Sequence, residues 1–184
     1  MTRISPPTKN SRIIAFLLML LALLGTVNIP VSAEDLEKRY EGQTHQAARE
    51  TEGTENILET LVERINLERV RIHLNPLTED ARLSEAAAQH SRDMARNDFF
   101  SHRGFDGSMP EKRVRRQGYN WTYVSENVIC GIEGSSEIVK KWMASREHRN
   151  NMLSPLAVHI GIGRGADHES KCAPYWTALF AAEK

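Results

Sequence analysis

The chain has 184 residues and a mass of 20.9 kDa, with 26% charged and 40% hydrophobic residues. That length holds one domain of ordinary size plus extra segments, and the composition argues against a wholly disordered chain, a collagen-like repeat and a multi-span membrane protein. Basic and acidic residues each number 24, so no global basic field marks a nucleic-acid binder, and two cysteines are too few for a disulfide-dense miniprotein or a Cys-based zinc ribbon.

Arg3, Lys9 and Arg12 precede the apolar run Ile13 to Leu24, and Val31-Ser32-Ala33 closes the segment. A positive leader, an apolar stretch and a small-residue end are the parts of a secretory signal peptide, expected at 1–33 with cleavage after Ala33. An uncleaved N-terminal anchor is the alternative, and either form sends the rest of the chain out of the cytoplasm. The expected location is therefore secreted, extracellular or within the cell envelope. The leader holds three basic and no acidic residues, which leaves 21 basic against 24 acidic in the mature chain, a formal −3. In an oxidising compartment Cys130 and Cys172 read as a disulfide, with two buried thiols as the alternative.

Residues 34–55 are polar without a sustained apolar face and read as a solvated spacer, so the domain is expected over 56–184. Ile57, Leu58, Leu61, Val62 and Ile65 recur at helical spacing and predict a helix over 56–72, broken by Asn75-Pro76. Leu83, Ala87, His90 and Met94 predict a second helix over about 80–97. A loop with Ser101, His102, Gly104 and Gly107 comes next. Ser108-Met109-Pro110-Glu111 combines a capping-box pattern with Pro in the first turn and predicts a short helix ending at Gly118.

Val124 to Cys130 reads as strand or loop. Ser135 is placed to cap a helix whose apolar face is Ile138, Val139, Trp142 and Met143. Val158, Ile160 and Ile162 alternate with His159, Gly161 and Gly163, and Tyr175 to Phe180 is an aromatic, β-prone run. Several helices with strands bunched late predict an α+β layered domain. Gly161, Gly163 and Gly165 do not spell a dinucleotide fingerprint and read as a closely packed strand.

No nucleophile elbow, H-E-x-x-H helix or Walker loop is present. Polar residues cluster instead at three places expected to be loops: Phe99-Phe100-Ser101-His102, Ser125-Glu126-Asn127, and Ser145 to Leu153. Two imidazoles and a carboxylate brought together can ligate a divalent metal with a position left open for water. Alternatively the carboxylate orients a histidine as a general base.

These residues carry a resemblance. Asn66-x-x-Arg69, Ser101-His102, Ser125-Glu126-Asn127, Trp142-Met143-x-Ser145, His148-Arg149-x-Asn151-Met152-Leu153, Gly161-Ile162-Gly163 and Tyr175-Trp176-Thr177 stand in an order that resembles a prokaryotic-type CAP domain. That superfamily unites cysteine-rich secretory proteins, venom antigen 5 and plant pathogenesis-related proteins of class 1, and the resemblance spans about 56–182. It implies an α-β-α sandwich with a central polar cleft lined by two histidines and two glutamates, where some members bind zinc or another divalent cation. His102, Glu126 and His148 match three of the four positions, and Ser145 stands at the second glutamate position.

The resemblance implies a secreted binding module whose cleft holds a divalent cation, zinc first, through His102, His148 and Glu126. Glu126 either completes the ligand shell or orients an imidazole, and the further ligand is a lipid or envelope polymer. The alternative is a metal-dependent extracellular hydrolase, a nuclease, phosphodiesterase or peptidase, with His102, Glu126 and His148 catalytic. A structural envelope protein is the third reading.

Ser145 and Arg149 are candidate binding residues, Arg149 with an ion pair to Glu126 or Glu147 as its other use. Asn127 is expected to bond backbone in a turn, and Trp142 and Trp176 to lie in the core. Ser101 and Ser125 are minor candidates for a nucleophile beside His102. Lys112, Arg113, Arg115 and Arg116 read as a solvated helix face, with contact to acidic polymers or phospholipid headgroups as the alternative. No dedicated nucleic-acid surface is expected, and membrane contact only through an uncleaved leader.

Overall fold

The computed structural model describes residues 60–184, together with Gly53, Ile57 and Leu58. The leader expected at 1–33 and nearly all of the spacer expected at 34–55 lie outside the described residues. All described residues belong to one unit, 47–184.

Helix α1, continuous from residue 60 to 71, buries Leu61, Val62 and Ile65 as its spacing predicts. It stops short of Asn75-Pro76. His73 adopts a left-handed conformation (φ 62°), its N–H bonds the Val70 carbonyl, and the Leu74 N–H bonds the Arg69 carbonyl. This pattern of a six-residue and a four-residue return closes the helix before the proline is reached. The N-x-x-R pair then ties α1 to the chain beyond the turn. Asn66 accepts from the Leu77 N–H (2.7 Å) and donates to its carbonyl (3.0 Å). Arg69, buried, donates to the carbonyls of Asn75, Met152, Ser154 and Ala157.

Strand β1 (Thr78–Glu79) leads into α2 (Ala81–Arg96), which Asp80 caps by accepting from the Arg82 N–H. Helix α3 (Pro110–Arg116) has Pro in its first turn as expected, but its N-cap is Met109 and no side chain caps it. The capping box read at Ser108 is therefore absent: the Ser108 N–H bonds Asp106 and its carbonyl accepts from Arg113. Strand β2 (Trp121–Cys130) is followed by α4 (Ser135–Ala144). Gly134, not Ser135, is the N-cap of α4, and the Ser135 hydroxyl accepts from Arg64 instead. Helix α5 (Arg146–Met152) then precedes β3 (His159–Gly165) and β4 (Tyr175–Glu183).

The strands form one sheet in the order β1-β3-β4-β2, with β1 parallel to β3 and the other pairs antiparallel. Alternation along β4 sends side chains to both faces. Trp176, Ala178 and Phe180 pack with Ile160 and Ile162 against α1, α4 and α5, through Leu61, Ile65, Ile138, Trp142 and Met152. Leu179 and Ala181 pack against α2 and α3 through Leu83, Ala87 and Val114. The result is the expected α+β, α-β-α sandwich, and Trp142 and Trp176 are core residues with no exposed surface.

The glycines of β3 explain how closely α2 lies on the sheet. A Cβ at Gly161 would stand 2.2 Å from the Ser84 nitrogen, one at Gly163 2.0 Å from the Ala88 nitrogen, and one at Gly165 2.3 Å from the Ser91 carbonyl carbon. Two strand residues advance about 6.7 Å and four helix residues about 6 Å, so a glycine at every second strand position meets each successive helical turn. Cys130, the last residue of β2, is disulfide-bonded to Cys172 with Cα atoms 5.5 Å apart.

Candidate functional site

Strand β2 is an edge strand, and its pleat divides two adjacent polar residues between the two helical layers. Glu126 reaches toward α2 and α3, while Asn127 reaches toward α5, where its amide donates to the His148 carbonyl (2.9 Å) and accepts from Asn151 (2.9 Å). Asn151 also donates to the Glu126 carbonyl (3.1 Å). Asn127 does bond backbone as expected, but from a strand, not a turn. Residues 146–152, read as a loop, are the helix that presents His148.

The Glu126 side chain is 2% exposed, and both of its oxygens are engaged. Arg113 Nη2 donates to Oε2 at 2.6 Å, and His102 Nδ1 donates to Oε1 at 2.8 Å. Arg113 Nη1 in turn donates to the carbonyls of His102 (3.0 Å) and Ser108 (2.8 Å), so one guanidinium holds both the carboxylate and the loop carrying His102. Arg113 is thus buried, not part of a solvated face; Lys112, Arg115 and Arg116 remain exposed.

His90, in α2, completes the enclosure with Nε2 3.9 Å from Glu126 Oε1. Its Nε2 lies 2.8 Å from the Ser101 carbonyl, which can only accept, so the proton sits on Nε2. Its Nδ1 is buried without a hydrogen-bond partner among the described residues. Burial lowers the His90 pKa, partly countered by the Glu126 charge, and the ring is held neutral.

The same reasoning fixes His102. With Nδ1–H given to the carboxylate, Nε2 of the neutral ring carries the free lone pair, and the side chain is half exposed. The hydrogen bond to Glu126 raises its pKa despite partial burial. His148 is shifted the other way: burial lowers its pKa, the charge of His102 lowers it further, and Glu147 opposes both. The His148 ring makes no hydrogen bond with the described residues.

Ser145 joins α4 to α5, with its N–H bonded to the Lys141 and Trp142 carbonyls. Arg149 donates to the Met143 carbonyl (2.8 Å) and makes no ion pair with Glu126 or Glu147 among the described residues, which corrects that expectation: the buried Glu126 already has Arg113. The Ser101 hydroxyl accepts from the Arg103 N–H, and the Ser125 hydroxyl from Tyr123, so neither is bonded to His102. Arg113 and His90 are the residues the sequence reading missed. Pro110, Arg113, Val114 and Gln117 recur at helical spacing, which places Arg113 on the inner face of α3, and that signal was present. His90 was visible on the apolar face of α2, but its neighbours come from segments distant in sequence.

Glu126, with both oxygens bonded, takes the orienting role. Among the described residues no three of His, Cys, Asp and Glu are grouped to hold a metal ion. His102 has its tautomer set by a carboxylate, the usual outer-shell arrangement for a metal-ligating histidine. An open groove of about 390 Å³ between α1 and α4, lined by Arg64, Leu67, Arg71, Lys140 and Met143 among others, includes none of these residues.

The family model of the cysteine-rich secretory protein family, CAP, matches residues 62–180. The chain is 36% identical to the protein YkwD of Bacillus subtilis (strain 168) over 103 residues, 56% of this chain and 40% of that protein. It is 29% identical to the membrane protein YlbC of the same strain over 98 residues, 53% of this chain and 28% of that protein. The matched region thus spans less than half of either relative. Among solved structures, an outer surface protein of Borrelia burgdorferi superposes with a TM-score of 0.64 at 24% identity, covering 71% of this chain and 96% of that one. An extracellular protein containing an SCP domain from Bacillus anthracis gives 0.61 at 20% identity, covering 85% of this chain and 45% of that one. At these identities the superpositions show the fold alone.

Proposed function

Because the chain belongs to the cysteine-rich secretory protein (CAP) family, we propose that it is an exported binding module whose site takes a divalent cation, zinc by its donor set, through His102 and His148. The single observation that carries this is the 2.8 Å bond from His102 Nδ1 to a buried Glu126, which leaves Nε2 as the ligating nitrogen. Imidazole donors suit zinc, and two of them leave coordination positions for water or for a ligand atom. A cation bound there would act as a Lewis acid toward an anionic or carbonyl oxygen. Glu126 keeps the His102 ring aimed, Arg113 holds the Glu126 carboxylate in place, and Asn127 holds the α5 backbone at His148.

The physiological ligand is proposed to be a lipid or envelope polymer, and the location extracellular or in the envelope, in keeping with the outer-surface and extracellular proteins that share the fold. A second reading is a hydrolase, favoured by the same bond: an imidazole oriented by a carboxylate is also the arrangement of a general base.

The test is calorimetric titration of zinc into metal-stripped 47–184, beside His102→Ala/His148→Ala. Saturable one-site binding that the double variant loses is expected. Equal binding by both proteins, or none by the parent, would overturn the cation site. Zinc-dependent phosphodiester or peptide hydrolysis that disappears in Glu126→Gln would decide for the second reading.

A further inference from the structure

The loop from Phe99 to Met109 between α2 and α3 carries exposed apolar side chains that nothing in the site uses. Phe100 is 53% exposed, Phe105 73% and Met109 48%. The loop is pinned by its own bonds: Phe105 N–H to Asp93, Gly107 N–H to the Gly104 carbonyl, Gly104 N–H to the Ser108 carbonyl, and Ser108 N–H to Asp106. The Phe105 ring also lies tilted against Phe99, with centroids 6.3 Å apart. An apolar surface built this firmly is part of the folded shape.

The charge around it is net positive. Residues 92–116 hold seven basic and four acidic residues in a chain whose total is zero. Asp106 is paired with Arg116, Asp98 with Lys171, and Arg92 with Glu85. Arg96, Arg103, Lys112 and Arg115 make no ion pair among the described residues. Arg103 lies inside the loop beside Gly107, and Arg96 and Lys112 stand on the helical turns that flank it.

Aromatic and thioether side chains among unpaired cations match the boundary between anionic headgroups and acyl chains. A soluble polyanion would satisfy the cations but offer the phenyl rings no apolar layer. We propose that this loop and the two turns beside it dock on an anionic lipid bilayer. Phe100, Phe105 and Met109 enter the headgroup boundary, while Arg96, Arg103 and Lys112 meet lipid phosphates. This loop also carries His102, but the proposed contact uses neither imidazole and gives the folded domain a membrane contact separate from any leader.

The probe is sedimentation with vesicles of phosphatidylcholine and phosphatidylglycerol, using residues 47–184 so that the apolar leader run takes no part. That unit holds the whole sheet, both helical layers and the disulfide, and a solved domain of this fold is matched over 96% of its length by 71% of this chain. The expected result is salt-sensitive binding that weakens about tenfold or more in Phe100→Ser/Phe105→Ser. Circular dichroism should be unchanged in that variant, since both side chains are exposed. Vesicle binding by the parent should be the same in excess EDTA as with added zinc, which separates this proposal from the cation site. No binding by the parent, equal binding to pure phosphatidylcholine, or undiminished binding by the phenylalanine variant would each overturn it.

Discussion

Gly163→Ala tests the contact on which the sandwich is built. The added methyl would lie 2.0 Å from the Ala88 nitrogen and 2.3 Å from its Cα, both backbone atoms of α2, where ordinary contact begins at 3.4 Å. Helix and strand must therefore part by about 1.4 Å. Strand β3 cannot supply that retreat, because Ile160 and Ile162 are buried on its other face. If α2 moves, the Ser91 hydroxyl loses its bonds to the Gly163 carbonyl (3.0 Å) and to Thr177 (2.9 Å). Overpacking of this kind costs roughly 1–3 kcal/mol, and each of the two buried hydrogen bonds about 1 kcal/mol more, so a loss of about 3–5 kcal/mol is expected. The assay is urea unfolding followed by tryptophan fluorescence. Gly134→Ala is the control: its Cβ meets nothing within 4 Å and φ is −93°, so it should cost about 1 kcal/mol or less. A Gly163→Ala midpoint matching the control would refute the close-packing argument.

Arg113→Met should destabilise the domain by about 3–5 kcal/mol in the same assay, because Glu126 would keep its burial without its guanidinium. Arg113→Met/Glu126→Met should recover most of that loss, and a single variant as stable as the parent would contradict the pairing. Replacing both cysteines by serine opens a loop closed at a separation of 42 residues, worth about 4 kcal/mol of chain entropy; a change below about 1 kcal/mol would be inconsistent. The His102 ring, followed by NMR, should titrate above the ordinary imidazole value of about 6.5 and return toward it in Glu126→Gln. Since the folded pKa is the higher one, its stabilising contribution is complete below the ordinary value and is lost as pH rises through the folded one. An unshifted or lowered titration would refute the bond to Glu126.

Periodicity carried most of the architecture. The apolar steps in α1 and α2, and the Ile/Gly alternation of β3, each predict the element that forms, and the glycine pattern even states which face lies against backbone. Boundaries failed where the deciding contact was local backbone chemistry. His73 closes α1 by its own left-handed turn, so Asn75-Pro76 never acts as the stop. Ser108 and Ser135 carry the right residue type for a cap, yet Met109 and Gly134 hold the position because other partners claim the two serines.

In the site, the pairing of His102 with Glu126 agrees with the family resemblance, and the helix holding His148 was not legible. Arg113 was obscured by three neighbouring cations, all of them solvent-facing. The Arg149 expectation failed for a reason outside its own segment, since the carboxylate it was offered already belonged to α3.

The division of labour between Glu126 and Asn127 has a mechanical consequence. One imidazole hangs from the carboxylate of one residue, and the helix bearing the other is bonded to the amide of the next. Both halves of the site are thus gauged from a single point on one strand, one pleat apart. Loops elsewhere in either helical layer can lengthen or shorten without altering that gauge. A slip of β2 by one residue, by contrast, would exchange the faces of the two anchors and undo both halves at once.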